Sequence, residues 1–148
     1  DKPYWNVEEN LVQPSQSGKI REIPIFTTTV PLLKRMKFIL LKKDIAMKPE
    51  GCSGTSVATA GKSKVEKLRE VLGEKKKMFT FGDATSFEEM TYFAQQALNR
   101  AKMHDEKYYP VVGISHPKTF ANNEEFERFL KWVVKHKNDF EFIKYNQI

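Results

Sequence analysis

Residues 108–120 read YYPVVGISHPKTF, and the fold turns on how they are taken. A short run of apolar, β-branched residues leads straight into Ser-His-Pro. The composition predicts a buried strand over 108–115 that ends in a turn at Pro117. It also places His116, one of only three histidines, at the mouth of that strand.

Working outward, the same strand composition recurs in KIREIPIF (19–26), MFTFG-containing KMFTFG (77–82) and FEFIKY (140–145). Pro24 marks an edge position or a strand end. Helical patterns lie between. Pro31 opens PLLKRMKFILLKK. SKVEKLREVLG (63–73) carries Val65, Leu68 and Leu72 at i, i+3, i+7, with Gly73 placed as a C-cap. Ser86 and Glu89 fit a capping box for a helix whose inner stripe is Phe87, Met90, Ala94, Ala97, Leu98 and Ala101. Asn122 or Asn123 starts the next, with Phe126, Phe129, Leu130, Val133 and Val134 on one face. Residues 44–61 show no clear period.

Short apolar strands alternating with amphipathic helices call for parallel strands and right-handed crossovers. The expectation is therefore an α/β domain over 1–148, either a partial (β/α) barrel or a small open sheet, with residues 1–18 as an extended arm. In both architectures the working groups sit at the carboxyl ends of strands. That rule selects Thr27–Thr29, Gly82–Thr85, Ser115–Lys118 and the chain from Asn146.

The totals exclude several classes. At 148 residues, 40% hydrophobic and 30% charged, the composition is that of a globular domain with a core. No apolar run approaches the roughly 18–20 residues needed to cross a bilayer. One cysteine, Cys52, rules out an intrachain disulfide and a multi-cysteine metal site. The net charge of +6 is compatible with a polyanionic partner. Yet the clusters Lys34–Lys37 and Lys75–Lys77 come with neither an aromatic RNA platform nor a recognition helix, which argues against nucleic acid.

Of the short motifs, AGKS (60–63) lacks the glycine five positions before Gly61 and a strand leading in, so it is a turn and not a phosphate loop. His104 and His136 fall near helix carboxyl ends, far from the strand tips, and no HxxxH or HExxH spacing exists. Ser115 and His116 are adjacent, so on a strand they point to opposite faces, and GISHP lacks the second glycine of a nucleophile elbow. Two readings of His116 stand: a general acid or base, or a strand-end histidine hydrogen-bonded to backbone.

The tail PVVGISHPKTF…FERFLKWVVKH…FEFIKYNQI resembles the carboxyl-terminal end of polysaccharide deacetylases, the NodB-homology carbohydrate esterases. KIREIPIF resembles a middle strand of their divergent bacterial branch, and MFTFGDATSFEEM its following strand, loop and helix. The resemblance implies a distorted (β/α) barrel that removes acetyl groups from a glycan. A divalent metal (zinc or similar) is held there by one Asp and two His, and an Asp base activates water. It implies that His116 is the acid on the leaving amine, that Asp83 takes the place of the family's fourth-motif acidic residue, and that Arg21 supports the base. Gly113 stands where an apolar residue is expected three before the histidine, leaving Val112 or Ile114 to meet the acetyl group beside the Pro117–Lys118 loop. Thr-Phe-Asp-Asp and His-x-x-x-His are not in the sequence and would lie before Asp1. On this reading the metal belongs to a longer parent, and the 148 residues alone are silent. Their strand edges would be covered by the missing half or by a second copy. The alternative is a non-catalytic carbohydrate- or protein-binding domain, with Tyr4, Trp5, Tyr108, Tyr109 and Trp132 as candidate stacking surfaces.

Overall fold

The computed structural model describes residues 4–7, 15, 17–46, 75–81, 85–104, 108–115 and 123–144. In order these form β1 (Trp5–Val7), β2 (Ile20–Glu22), β3 (Thr27–Val30), α1 (Leu32–Ala46), β4 (Lys75–Met78), α2 (Phe87–His104) and α3 (Asn123–Lys135).

Both sheets are two-stranded and antiparallel. Trp5, inside the stretch read as an arm, pairs with Glu22, and Val7 pairs with Ile20. Gly18 lies so close under β1 that a Cβ there would meet the Val7 carbonyl oxygen at 2.4 Å. In the second sheet Thr27 faces Met78 and Val30 faces Lys75. The expected alternation of parallel strands with helices, as partial barrel or open sheet, is therefore corrected. The reason lies in where the ladder formed. Pro24 ends the 19–26 strand early, and the pairing passes to the β-branched run Thr27–Val30, which meets Lys75–Met78 head to tail. Thr27–Thr29 is thus strand, not a strand-end loop. Residues 140–144 form no strand. The 63–73 helix falls outside the described residues.

The 108–115 segment survives as a junction. Ile25 and Thr80 sit just beyond the open end of the β3–β4 ladder, and each makes a parallel bridge to it, with Val112 and Ile114 respectively. Antiparallel chains can both run parallel to a third only where they diverge, so residues 111–115 lie across the mouth of a fork. The Phe26 N–H donates to the Val112 carbonyl (2.8 Å), the Phe81 N–H to the Ile114 carbonyl (2.9 Å), and the Ile114 N–H to the Phe79 carbonyl (3.0 Å). Pro110 and Gly113 are poor ladder residues, and two single bridges are what remains of the expected strand.

Strand alternation turns Phe26, Thr28 and Val30 to one side, with Lys77, Phe79 and Phe81 across from them. Phe79 stacks on Phe93 of α2 at 5.3 Å and meets Phe129 of α3 edge-on at 6.0 Å. Phe26, Val30, Phe38, Met90, Ala94, Ala97 and Val133 are buried with them in the core. Met90, Ala94 and Ala97 lie on the inner stripe expected of α2, and Phe93, outside that stripe, is buried with them. The Tyr92 hydroxyl donates to the Thr29 carbonyl (3.2 Å), and burial pushes its pKa up. The folded state keeps this phenol protonated, so its contribution is full below the ordinary tyrosine range and lost as pH rises through the raised value. Tyr92→Phe should weaken the alkaline fall in stability, as read from denaturant midpoints between pH 9 and 11.

Gly113 is fixed by the same packing. A Cβ there would lie 2.1 Å from Cε2 of Phe81, whose ring is held against Phe79, Phe126 and Phe129. Gly113→Ala should cost about 1–3 kcal/mol. In a Phe81→Ala background most of that cost should disappear, which a double-mutant cycle by urea denaturation checks.

Candidate functional site

The fork sets two chain exits side by side. The Thr80–Ile114 bridge is parallel, so residues leading into Gly82–Thr85 and into Ser115–Lys118 leave the junction in the same direction from neighbouring points. Asp83, His116, Pro117 and Lys118 themselves lie outside the described residues. Around the exits, beside the Phe81 ring, lie several polar groups. Thr85 and Ser86 are buried. The Thr80 and Thr85 hydroxyls are 3.4 Å apart. Ser115 Oγ is buried and has no hydrogen-bond partner.

Thr85 and Ser86 are held there by the start of α2. Ser86 Oγ accepts the Glu89 N–H at 3.2 Å, the first half of the expected capping box. The second half is missing. Instead of returning to Ser86, the Glu89 carboxylate takes the Lys77 ammonium from β4. A second cap comes from α3, where Glu125 Oε2 accepts the Phe87 N–H at 2.7 Å. Glu125 also binds Arg128 at 2.5 Å, and the Arg128 guanidinium lies 4.6 Å over the Phe87 ring. The positive end of this helix is thus met by carboxylates of the chain itself.

Glu89 is 1% exposed, and its Oε2 has no hydrogen-bond partner. Its charge depends on Lys77, which keeps about a third of its side chain in water. Neither residue was singled out for this contact by sequence reasoning. The signal was present: Lys77 stands two before Phe79 and four before Phe81, on the face that strand alternation turns inward. Glu125 was missed too, since nothing local links it to a helix start 38 residues earlier.

The remaining candidates divide between the junction and other parts of the fold. Val112 and Ile114 are both half-buried at the junction. Arg21 is on β2 in the other sheet, exposed, its guanidinium 4.9 Å over the Tyr4 ring. It lies upstream of Ile25, which in a parallel pairing is the amino-terminal side of the 111–115 segment, away from the exit toward His116. The structure does not bring it to that exit. Trp5 Nε1 donates to Glu22 (2.9 Å), and Tyr109 stacks on His104 at 6.2 Å. Trp132 packs between Phe129 and Phe140, as core. Lys34 lies 4.3 Å over the Tyr92 ring. Among the described residues no three metal-ligating side chains gather. No described helix is long and apolar enough to cross a membrane.

Comparison with known protein families, characterised proteins and solved structures finds no match to this chain.

The Lys77–Glu89 pair should behave asymmetrically. Lys77→Met strands a carboxylate in the core and should cost about 2–4 kcal/mol, the lower end for a broken buried pair because Lys77 is part-solvated. Glu89→Met leaves a lysine that can turn to water and should cost less. The double variant should be more stable than Lys77→Met alone, measured by urea denaturation.

Proposed function

We propose that this chain is the carboxyl-terminal portion of a polysaccharide deacetylase, and that it supplies the acid, His116, from the segment leaving Ile114. One observation supports the reading: the parallel Thr80–Ile114 bridge, which starts the Asp83 and His116 segments from adjacent points of one frame. A reaction that needs two groups from distant parts of the chain needs such a common origin.

The chemistry asked of His116 is specific. After water adds to the acetyl carbonyl, the tetrahedral intermediate expels the sugar nitrogen only if that nitrogen is protonated; an amide anion is too poor a leaving group. An imidazolium gives up its proton near neutral pH, and such transfer is worth about 10²–10⁴ in rate. Ser115, the residue before His116, is half-buried with its Oγ shielded from water. The products are acetate and a free amino sugar.

In the longer parent protein, His116→Ala should lower kcat by about 10²–10⁴ on an N-acetylated oligosaccharide with little change in KM, and should remove the alkaline limb of the pH profile. A loss below about threefold overturns the assignment. If the 148-residue chain binds the oligosaccharide equally well with and without His116, while parent turnover is unaffected, the non-catalytic binding reading replaces this one.

A further inference from the structure

Helix α1 is fixed to the core along one side only. Phe38 is buried there, its ring 5.9 Å from that of Tyr92, and the Lys34 ammonium lies 4.3 Å over the same ring. On the opposite side Leu33, Met36, Ile39 and Leu40 are 82%, 50%, 48% and 60% exposed. They stand at i, i+3, i+6 and i+7, so they form one contiguous row along the helix surface. Single exposed aliphatic residues are ordinary in a folded chain, whereas a row of four marks a contact surface. With Phe38 holding the inner side, α1 cannot roll to bury the row without emptying that core position.

The charges beside the row decide what it meets. Lys37 is exposed, four residues after Leu33 and three before Leu40, so it borders the row. Over Leu32–Ala46 the helix carries Lys34, Arg35, Lys37, Lys42 and Lys43 against a single acid, Asp44, and its first turn has none. A second copy docking through the same face would bring these cations together, which is unfavourable. The row itself is entirely aliphatic, without the Trp, Tyr or Arg anchors that fill pockets at protein interfaces. Aliphatic side chains bordered by lysine are the pattern of a helix that lies in a membrane interface: the apolar tips enter the acyl boundary and the ammonium groups stay among the headgroups. At 15 residues α1 is too short and too charged to cross a bilayer, so it would lie on one.

We propose that the outward face of α1 docks on a bilayer surface rich in anionic headgroups. Leu33, Met36, Ile39 and Leu40 enter the acyl boundary, and Lys37 pairs with the headgroups beside them. Phe38 and Tyr92 keep the helix attached to the domain while its outer side is immersed. This inference is independent of the deacetylase reading.

The test uses the full chain and vesicles of phosphatidylcholine with or without about 30% phosphatidylserine, read by co-sedimentation. Retention should be about tenfold greater on the anionic vesicles, and should fall as salt is raised from about 0.1 M to about 0.5 M. Leu33→Gln with Leu40→Gln should lower it about tenfold and Lys37→Gln about fivefold, while Met103→Gln, exposed on α2, leaves it as it was. Equal retention of the doubly substituted chain overturns the proposal, because the net charge of +6 alone then accounts for binding. So does the absence of retention, or a dimer that the same substitutions dissociate, which would make a second copy the occupant. A second measurement covers a variant that fails to fold. In a Cys52→Ser background, a polarity-sensitive dye on Met36→Cys should shift to the blue on anionic vesicles, and the same dye on Met103→Cys should not. Equal spectra at the two positions overturn the proposal.

Discussion

The backbone hydrogen bonds of residues 111–115 are the constraint from which the rest follows. Two antiparallel strands alone are marginal in water, and β3 and β4 diverge just past Phe26 and Phe79. At that point their N–H and C=O groups would face each other across a widening gap. Val112 and Ile114 fill it, and the Phe79 N–H still reaches the Phe26 carbonyl at 2.7 Å. With that mouth closed, Phe26, Phe79 and Phe81 are held in fixed positions. Phe93 and Phe129 can then pack on them as a single aromatic layer. Burying a ring such as Phe93 contributes about 1.5–3 kcal/mol only because its partners do not move.

The polar groups show what that layer costs. Lys77 is carried inward by the same alternation that carries Phe79 inward, Glu89 meets it from α2, and their pairing is needed to keep a charge in the core. Thr85, Ser86 and Ser115 sit at the far edge of the layer, where the two segments leave. Loops rooted on a rigid frame are where binding and catalytic groups are commonly carried. The Thr80–Ile114 bridge gives the two segments that leave it a fixed spacing at their roots.

The sequence was clear wherever structure is set locally. Pro31 before α1, Ser86 at the start of α2 and the apolar stripe of α3 around Phe129 and Val133 are dictated by neighbours a turn away. Sheet pairing was not legible in this way, because it depends on which segments meet. Thr27–Val30 and Lys75–Met78 are polar or basic runs with no apolar alternation to advertise them. Residues 140–144 had the apolar aromatic composition of a strand and yet leave Phe142 and Ile143 exposed, with no ladder beside them. Of the candidate site, strand-end reasoning names Gly82–Thr85 and Ser115–Lys118 separately, and the bridge between Thr80 and Ile114 beside them was not legible, because it joins segments more than thirty residues apart. Arg21, named through the family resemblance, stands on β2, which pairs with β1 in the other sheet.

The fork also bears on how quickly the chain can reach this state. Its three arms come from residues near 25, 80 and 112, so no part of the junction can form by local search. Each closure loses loop entropy before the aromatic contacts return anything, and the second closure is useful only once the first is in place. The helices can form early, whereas the junction requires long-range encounters and is the natural rate-limiting event. Until it forms, Phe26, Phe79 and Phe81 have no common surface to pack on. Truncation before residue 111 would remove the crosspiece of the fork along with the segment that carries His116.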